Sequence, residues 1–298
     1  MIDVQALQDR FGIAGHLAVK ERNGGLPVVE IQTKHVTAAV CLYGAHVMEY
    51  AHRGGKPVLW MSNYSYHELG KPIRGGIPVC WPWFSAHPTD PSKPVHGFAR
   101  LRIWTMLSTT LLDDAVEIRL GLLSDERTRM MWPHDFQIQY TVTVGRTLRT
   151  ELFVMNTGTS AVQCTAALHT YFTVGSIRDI VVSGLDGIEY IDNLDNSVRK
   201  RQDGDITFDR ETDRIYLGTR GPHLIDDKKL RRKISIEKSG SNSTVVWNPW
   251  ILKSKKTPDF GDTEYETMVC VETTNAAEDV VKIPPAGSHR LGSTIALE

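Results

Sequence analysis

Apolar and polar positions alternate with a period of two along most of this chain. Phe136, Ile138, Tyr140, Val142 and Val144 fall on one face of an expected strand whose other face carries Gln137, Gln139, Thr141 and Thr143. Gly145-Arg146-Thr147 then turns the chain into a second run, Leu148, Leu152 and Val154 with Arg149, Thr150 and Glu151 between them, which is the signature of a hairpin. Similar short runs occur at 28–33, 37–42, 115–120, 162–169, 234–237, 244–247, 267–272 and 292–296, separated by Gly, Pro, Asn and Asp. Helical periodicity is weak. Short helices are expected at 4–10 and 62–68, and a single turn at 124–130.

Many strands at close spacing predict a mainly β protein, a large antiparallel β-sandwich with one face of each sheet buried and the other wet. No repeat of fixed period is visible, which disfavours a propeller or a solenoid. A chain of 298 residues could hold two domains, but β-sandwiches commonly run to about 200–250 residues as one unit. No linker is long enough, or poor enough in apolar residues, to split it. One domain over 1–298 is expected, with a short N-terminal helical segment at about 1–12.

Composition narrows the classes further. With 41% hydrophobic and 23% charged residues the chain is ordinary for a globular protein, so neither disorder nor a fibrous fold is indicated. Formal net charge is −1, and the basic clusters at 228–233 and 253–256 are interrupted or offset by acids. They read as solvated turns, not as a nucleic-acid surface, because no basic stripe with interleaved aromatics accompanies them. Asp3, Asp9, Gln5 and Gln8 occupy the place where a secretory signal needs an apolar run. No stretch approaches the ~18 apolar residues of a membrane span. A cytoplasmic protein is expected, without membrane or nucleic-acid partners and monomeric. Cys41, Cys80, Cys164 and Cys270 are far apart in sequence with apolar neighbours, and read as reduced core thiols, not as a disulfide frame or zinc site. Asn63-Tyr64-Ser65 and Asn242-Ser243-Thr244 match the glycosylation pattern, without consequence if the chain is not exported.

The densest chemistry lies in Arg74-Gly75-Gly76-Ile77-Pro78-Val79-Cys80-Trp81-Pro82-Trp83-Phe84, followed by His96-Gly97-Phe98-Ala99-Arg100. Two arginines and a histidine stand among rigid turns and flat aromatic surfaces, a combination suited to an anionic, hydroxyl-rich ring such as a sugar phosphate. Glycines let the backbone turn tightly or approach a ligand, and prolines fix φ. Trp81, Trp83 and Phe84 would either fill core or stack on a ligand. Arginine offers a planar fork of donors matched to phosphate or carboxylate, although an arginine taken singly is more often a surface residue.

Two further positions stand out. His169 ends an apolar run and is followed by Thr170-Tyr171-Phe172, which places a titratable ring beside aromatics that could exclude water. Glu272 closes Met268-Val269-Cys270-Val271 and is either a solvated strand end or a placed base. Asp213, among alternating charges, reads more simply as the wet face of a strand. His67-Glu68 begins like a zinc-protease helix, but Lys71 stands where the second histidine belongs. No Gly-x-Ser-x-Gly elbow, P-loop or Gly-x-Gly-x-x-Gly turn is present, so nucleophilic triads and nucleotide cofactors are not indicated.

Taken in order, Arg74-Gly-Gly-Ile-Pro, His96-Gly-Phe-Ala-Arg100, Leu168-His169-Thr-Tyr-Phe, Asp213-Arg-Ile-Tyr, Val246-Trp-Asn-Pro-Trp250 and Val269-Cys-Val-Glu272 resemble the glucose-6-phosphate 1-epimerase family, the hexose-6-phosphate mutarotases of the aldose 1-epimerase superfamily. The resemblance spans about 28–296. It implies a galactose mutarotase-like supersandwich, no cofactor, His169 as general acid and Glu272 as general base, with Arg74, His96, Arg100 and Asp213 lining the substrate site. Ser85 departs from a glycine frequent in the family, and His289-Arg290 from a tryptophan after the C-terminal turn 284–287, which leaves the shape of the pocket open at those points. The implied reaction removes the anomeric hydroxyl proton while the ring oxygen is protonated, opens the ring, and recloses it after rotation about C1–C2. Two groups on opposite sides of the ring are expected to suffice, an ionised glutamate and a histidine that donates. A mutarotase for unphosphorylated aldoses is the competing enzyme, disfavoured by the paired arginines. A sugar-binding sandwich without turnover is the other alternative, disfavoured by the retained acid–base pair.

Overall fold

The computed structural model describes residues 2–298, so residue 1 of the expected N-terminal helical segment lies outside them. Four antiparallel strands, Leu17–Arg22, Leu26–Gln32, Val36–Cys41 and His46–His52, form a meander near the N-terminus. One eight-stranded sheet has the order Ile180–Ser183, His223–Asp227, Arg232–Ser239, Ser288–Leu297, Thr147–Asn156, Phe136–Val144, Val116–Leu123 and Thr105–Leu111. A second runs Val198–Arg201, Glu189–Asp192, Thr212–Leu217, Ser243–Asn248, Met268–Asn275, Ala166–Leu168 and Val79–Cys80, with Tyr171–Thr173 also paired to Met268–Asn275. This second sheet carries the candidate chemistry and is called the site sheet. A small ribbon joins Val162–Cys164 to Val281–Ile283.

The alternation explains the first large sheet directly. Phe136–Val144 buries every second residue, and its hairpin with Thr147–Asn156 is closed by Gly145 N–H donating to Thr147 O at 3.0 Å. Leu120, Tyr140 and Leu152 stand in one cross-strand row and are fully or almost fully buried. Met268–Asn275 differs: all eight residues are buried. A strand covered on both faces reads as a continuous apolar run, and here that run holds Glu272.

Three local expectations are corrected. The 162–169 run is two strands, because the chain leaves the ribbon at Cys164 and enters the site sheet at Ala166. No helix forms at 62–68, where Ser62 and Asn63 instead bond the Glu264 carboxylate. The basic segment at 253–256 is not a turn but the last part of the helix Trp250–Lys256. The other two helices lie close to their expected places, at Val4–Phe11, capped by Asp3, and Glu126–Met131, capped by Asp125. No helix among the described residues is long and apolar enough to cross a membrane.

Two of the three aromatics of the Pro-rich segment go to the core. Trp81 is fully buried, with Phe136, Trp132 and Phe98 edge-on to it at 4.6, 4.9 and 5.7 Å between ring centroids. Trp83 is buried beside it, and Phe84 is half-buried against the His96 ring. The glycines serve chain crossings as well: Gly75 holds φ 108°, and a Cβ there would lie 2.5 Å from Trp60 O. Trp81→Ala should therefore lower the unfolding free energy in urea titration by about 3–5 kcal/mol, the range for large aromatics lost from cores. A loss under about 1 kcal/mol would identify Trp81 as a ligand platform instead.

Candidate active site

Cross-strand register builds one face of the site sheet. Asp213 opposes Trp247, Trp247 opposes Cys270, and Cys270 opposes Tyr171, so these four side chains share one row. The next row on that face carries Ile191, Ile215, Val245 and Glu272. Glu272 thus projects beside Cys270, two residues before it on the same strand.

His169 sits in the break between Ala166–Leu168 and Tyr171–Thr173, both of which pair with Met268–Asn275. Its backbone N–H donates to Pro78 O at 3.1 Å, and the next but one, Tyr171 N–H, to Gly76 O at 2.9 Å, so the loop following Arg74 pins the break. The imidazole stacks on Tyr171 at 4.8 Å, with Trp247 and His96 edge-on at 6.3 and 5.5 Å. Its Nδ1 lies 3.3 Å from Glu272 Oε1, without the alignment of a hydrogen bond, and neither Nδ1 nor Glu272 Oε2 has a partner. Both side chains are buried, Glu272 with 1% exposure.

Burial decides the electrostatics. It pushes the Glu272 carboxyl well above its usual range, reinforced by Asp213 and opposed by Arg100. It holds the His169 imidazolium well below its usual range, reinforced by Arg100 and Arg74. Both shifts run toward the uncharged forms, a neutral carboxyl beside a neutral imidazole, whereas reference values alone lead to the expectation of an ionised glutamate. A neutral pair holds as many protons as a carboxylate beside an imidazolium. One proton shift within the pair reaches the ionic form, in which the carboxylate is an unusually strong base and the imidazolium an unusually strong acid.

The arginines differ sharply. Arg74 Nε and Nη2 donate to the two Asp259 carboxylate oxygens at 3.2 and 3.1 Å, and Nη1 donates to Tyr171 OH at 3.2 Å. Burial works against its charge, but Tyr171 and Asp259 outweigh this and raise its pKa. Arg100, on the turn Ala99–Leu101, donates Nη2–H to Val95 O at 2.8 Å and leaves its Nε without a partner. Its charge has no carboxylate within salt-bridge distance among the described residues.

His96 holds φ 63° and Ser85 φ 66°, both in the left-handed region. That conformation explains why glycine suits position 85; here serine accepts it, and its backbone N–H donates to His96 Nδ1 at 3.0 Å. With Nδ1 accepting and burial, Arg100 and His169 holding the ring neutral, His96 keeps its proton on Nε2. Asp213 stands across the face, 22% exposed, bonded by Asn193 Nδ2 at 2.8 Å and 3.9 Å from Lys253 Nζ, so it is no ordinary wet-face acid. His289, the other departure, bonds Asn275 Oδ1 at 3.0 Å through Nε2.

The fold therefore brings His169, Glu272, His96, Arg74 and Arg100 together, with Asp213 on the same face. Sequence reasoning missed Asp259, Lys253 and Asn193. Asp259 sits in Pro258-Asp259-Phe260-Gly261, where only an acid between apolar neighbours hinted at burial. Cys270, read as a core thiol, joins His169 and Glu272 as a group whose metal-ligating atoms lie within 4.8 Å of one another.

The aldose 1-epimerase family model matches residues 27–292 of this chain. The chain belongs to the aldose 1-epimerase family. By that membership it is an isomerase. Among similar proteins, one of Escherichia coli K12 named "Putative glucose-6-phosphate 1-epimerase" is 38% identical over 264 residues, covering 88% of each chain. One of Cenchrus ciliaris with the same name is 33% identical over 282 residues, covering 91% of this chain and 84% of its own. A crystal structure described as a "putative mutarotase" of Salmonella typhimurium aligns with a TM-score of 0.89 at 33% identity, covering 96% of this chain and 95% of its own. The large antiparallel β-sandwich is thus the mutarotase fold implied by the motifs.

The electrostatics give a direct test. In a carboxyl-carbon NMR titration, Glu272 should titrate above the ordinary glutamate range. Arg100→Ala removes a positive charge that favours the carboxylate, so the midpoint should rise further. Asp213→Asn removes a negative charge, so it should fall. A midpoint at the ordinary value that neither variant moves would overturn the assignment.

Proposed function

We propose that this protein interconverts the α and β anomers of a hexose 6-phosphate, glucose 6-phosphate foremost, without a cofactor. The carrying observation is the buried His169–Glu272 pair, 3.3 Å apart, whose charges are both influenced by Arg100, an arginine that makes no ion pair among the described residues. In this reading the Glu272 carboxylate takes the anomeric hydroxyl proton. The C1–O5 bond breaks as O5 takes a proton from the His169 imidazolium, giving the open-chain aldehyde. Rotation about C1–C2 and the reverse transfers yield the other anomer. The anomeric and ring oxygens share one carbon, so an acid and a base lying side by side can reach both, and the expected placement on opposite sides of the ring is not required.

The names of the similar proteins support the phosphate, and so does the division between the arginines. Asp259 already compensates Arg74, which suits it to orient sugar hydroxyls opposite Asp213. Arg100, with His96 Nε2–H near it, is the stronger candidate for the phosphate. A cytoplasmic monomer is part of this reading; all four cysteines are free and buried, as in a reducing compartment.

Freshly dissolved α-glucose 6-phosphate and α-glucose, followed by NMR exchange between anomers, test the activity. His169→Asn and Glu272→Gln should stay folded and each lose at least ~10²-fold in turnover with substrate binding retained. Exchange near the wild-type rate in either variant would remove that residue from the mechanism. Arg100→Ala should raise KM for glucose 6-phosphate about 10- to 100-fold, corresponding to a charge-assisted bond of ~1.5–3 kcal/mol, and change KM for glucose far less. Equal effects on both sugars, or a wild type that prefers glucose, would move the assignment to unphosphorylated aldoses.

A further inference from the structure

The fold assembles a soft ligand set from residues that the sequence keeps apart. A ring nitrogen of His169, Sγ of Cys270 and a carboxylate oxygen of Glu272 lie within 4.8 Å of one another, and no other such group of three forms among the described residues. All three side chains are buried, and His169 Nδ1 and Glu272 Oε2 are both without hydrogen-bond partners. Buried polar atoms without protein partners carry a cost that a bound ligand can relieve. Imidazole, thiolate and carboxylate are the ligands that zinc and other thiophilic ions take, and three of them on a tetrahedral ion leave one position open. Metal–ligand bonds of about 2.0–2.3 Å would require the three atoms to close up modestly, by side-chain rotation.

We propose that His169, Cys270 and Glu272 form an inhibitory site for a thiophilic divalent cation such as Zn²⁺ or Cd²⁺, which occupies the acid and the base and thereby stops anomer exchange. The inhibitory consequence rests on the roles given to His169 and Glu272 above; the metal site does not. As the bonds form, the Cys270 thiol and the Glu272 carboxyl release their protons to solvent, while His169 already presents a neutral ring. Burial pushes the Cys270 thiol above its usual range, and the ion's charge offsets that preference. The surrounding charges permit it: Asp213 adds a negative charge, Arg100 a positive one, and Arg74 is already paired with Asp259. The ion leaves this group close to neutral.

Cd²⁺ titrated into the purified full chain should produce sulfur-to-cadmium charge-transfer absorbance that saturates at one ion per chain. Anomer exchange should fall in parallel and return with a chelator, and Mg²⁺, which prefers oxygen ligands, should change neither. Cys270→Ser should retain exchange close to that of wild type, lose the absorbance, and need at least ~10-fold more metal for inhibition. Should the serine variant fail to fold, Cys270→Ala gives the same comparison, and saturating glucose 6-phosphate should block cadmium uptake by wild type. No absorbance in wild type at millimolar Cd²⁺, or absorbance that survives loss of Cys270, would overturn the proposal. If the metal-free protein shows no anomer exchange, the proposed function fails while the absorbance still decides the metal site.

Discussion

A carboxyl group held in the middle of a fully covered strand is the constraint around which the rest of the site is arranged. Glu272 lies in Met268–Asn275, all of it buried, and one of its oxygens has no partner. An ionised carboxylate in such a place is expensive, and burial pushes it toward the neutral acid. The sheet makes the arrangement tolerable by fixing the strand along both edges, through Ser243–Asn248 on one side and Ala166–Leu168 with Tyr171–Thr173 on the other. Local polar discomfort is thus maintained by backbone pairing that does not depend on the charge.

The arginines show how similar residues take different parts. Arg74 is held by a two-pronged ion pair with Asp259 and by Tyr171, on whose ring His169 stacks. It acts as a strut, linking the Gly75-Gly76 crossing to the histidine. Arg100 sits on a short turn, tied by one backbone carbonyl. It makes no ion pair with a carboxylate among the described residues, and its charge acts on both Glu272 and His169, on the latter together with Arg74.

Much of this was legible in the sequence because the period-two pattern is strong where one sheet face is wet, as in Phe136–Val144. Legibility faded where strands are short or covered on both faces. Thus 162–169 read as one run, although Cys164 and Ala166 belong to different sheets. The helix Trp250–Lys256 escaped because its lysines mask its packing, yet it delivers Lys253 toward Asp213. The functional candidates were legible as motifs, each marked by an unusual residue among apolar neighbours. Their partners were not: nothing local to Asp259 or Asn193 marks a contact with Arg74 or Asp213, because those contacts bring segments together from distant parts of the chain and do not arise from spacing.

The order of the site sheet also bears on how the protein is made. Met268–Asn275 follows in sequence all three of the segments that close on it, Ala166–Leu168, Tyr171–Thr173 and Ser243–Asn248. Until it leaves the ribosome, those three segments lack their partner along one backbone edge. Such edges are prone to pair with the wrong partners, and contacts this distant in sequence form slowly. A nascent chain that has not yet made the strand carrying Glu272 is therefore inert and open to misassembly, and chaperones have unpaired edges to protect until that strand is in place.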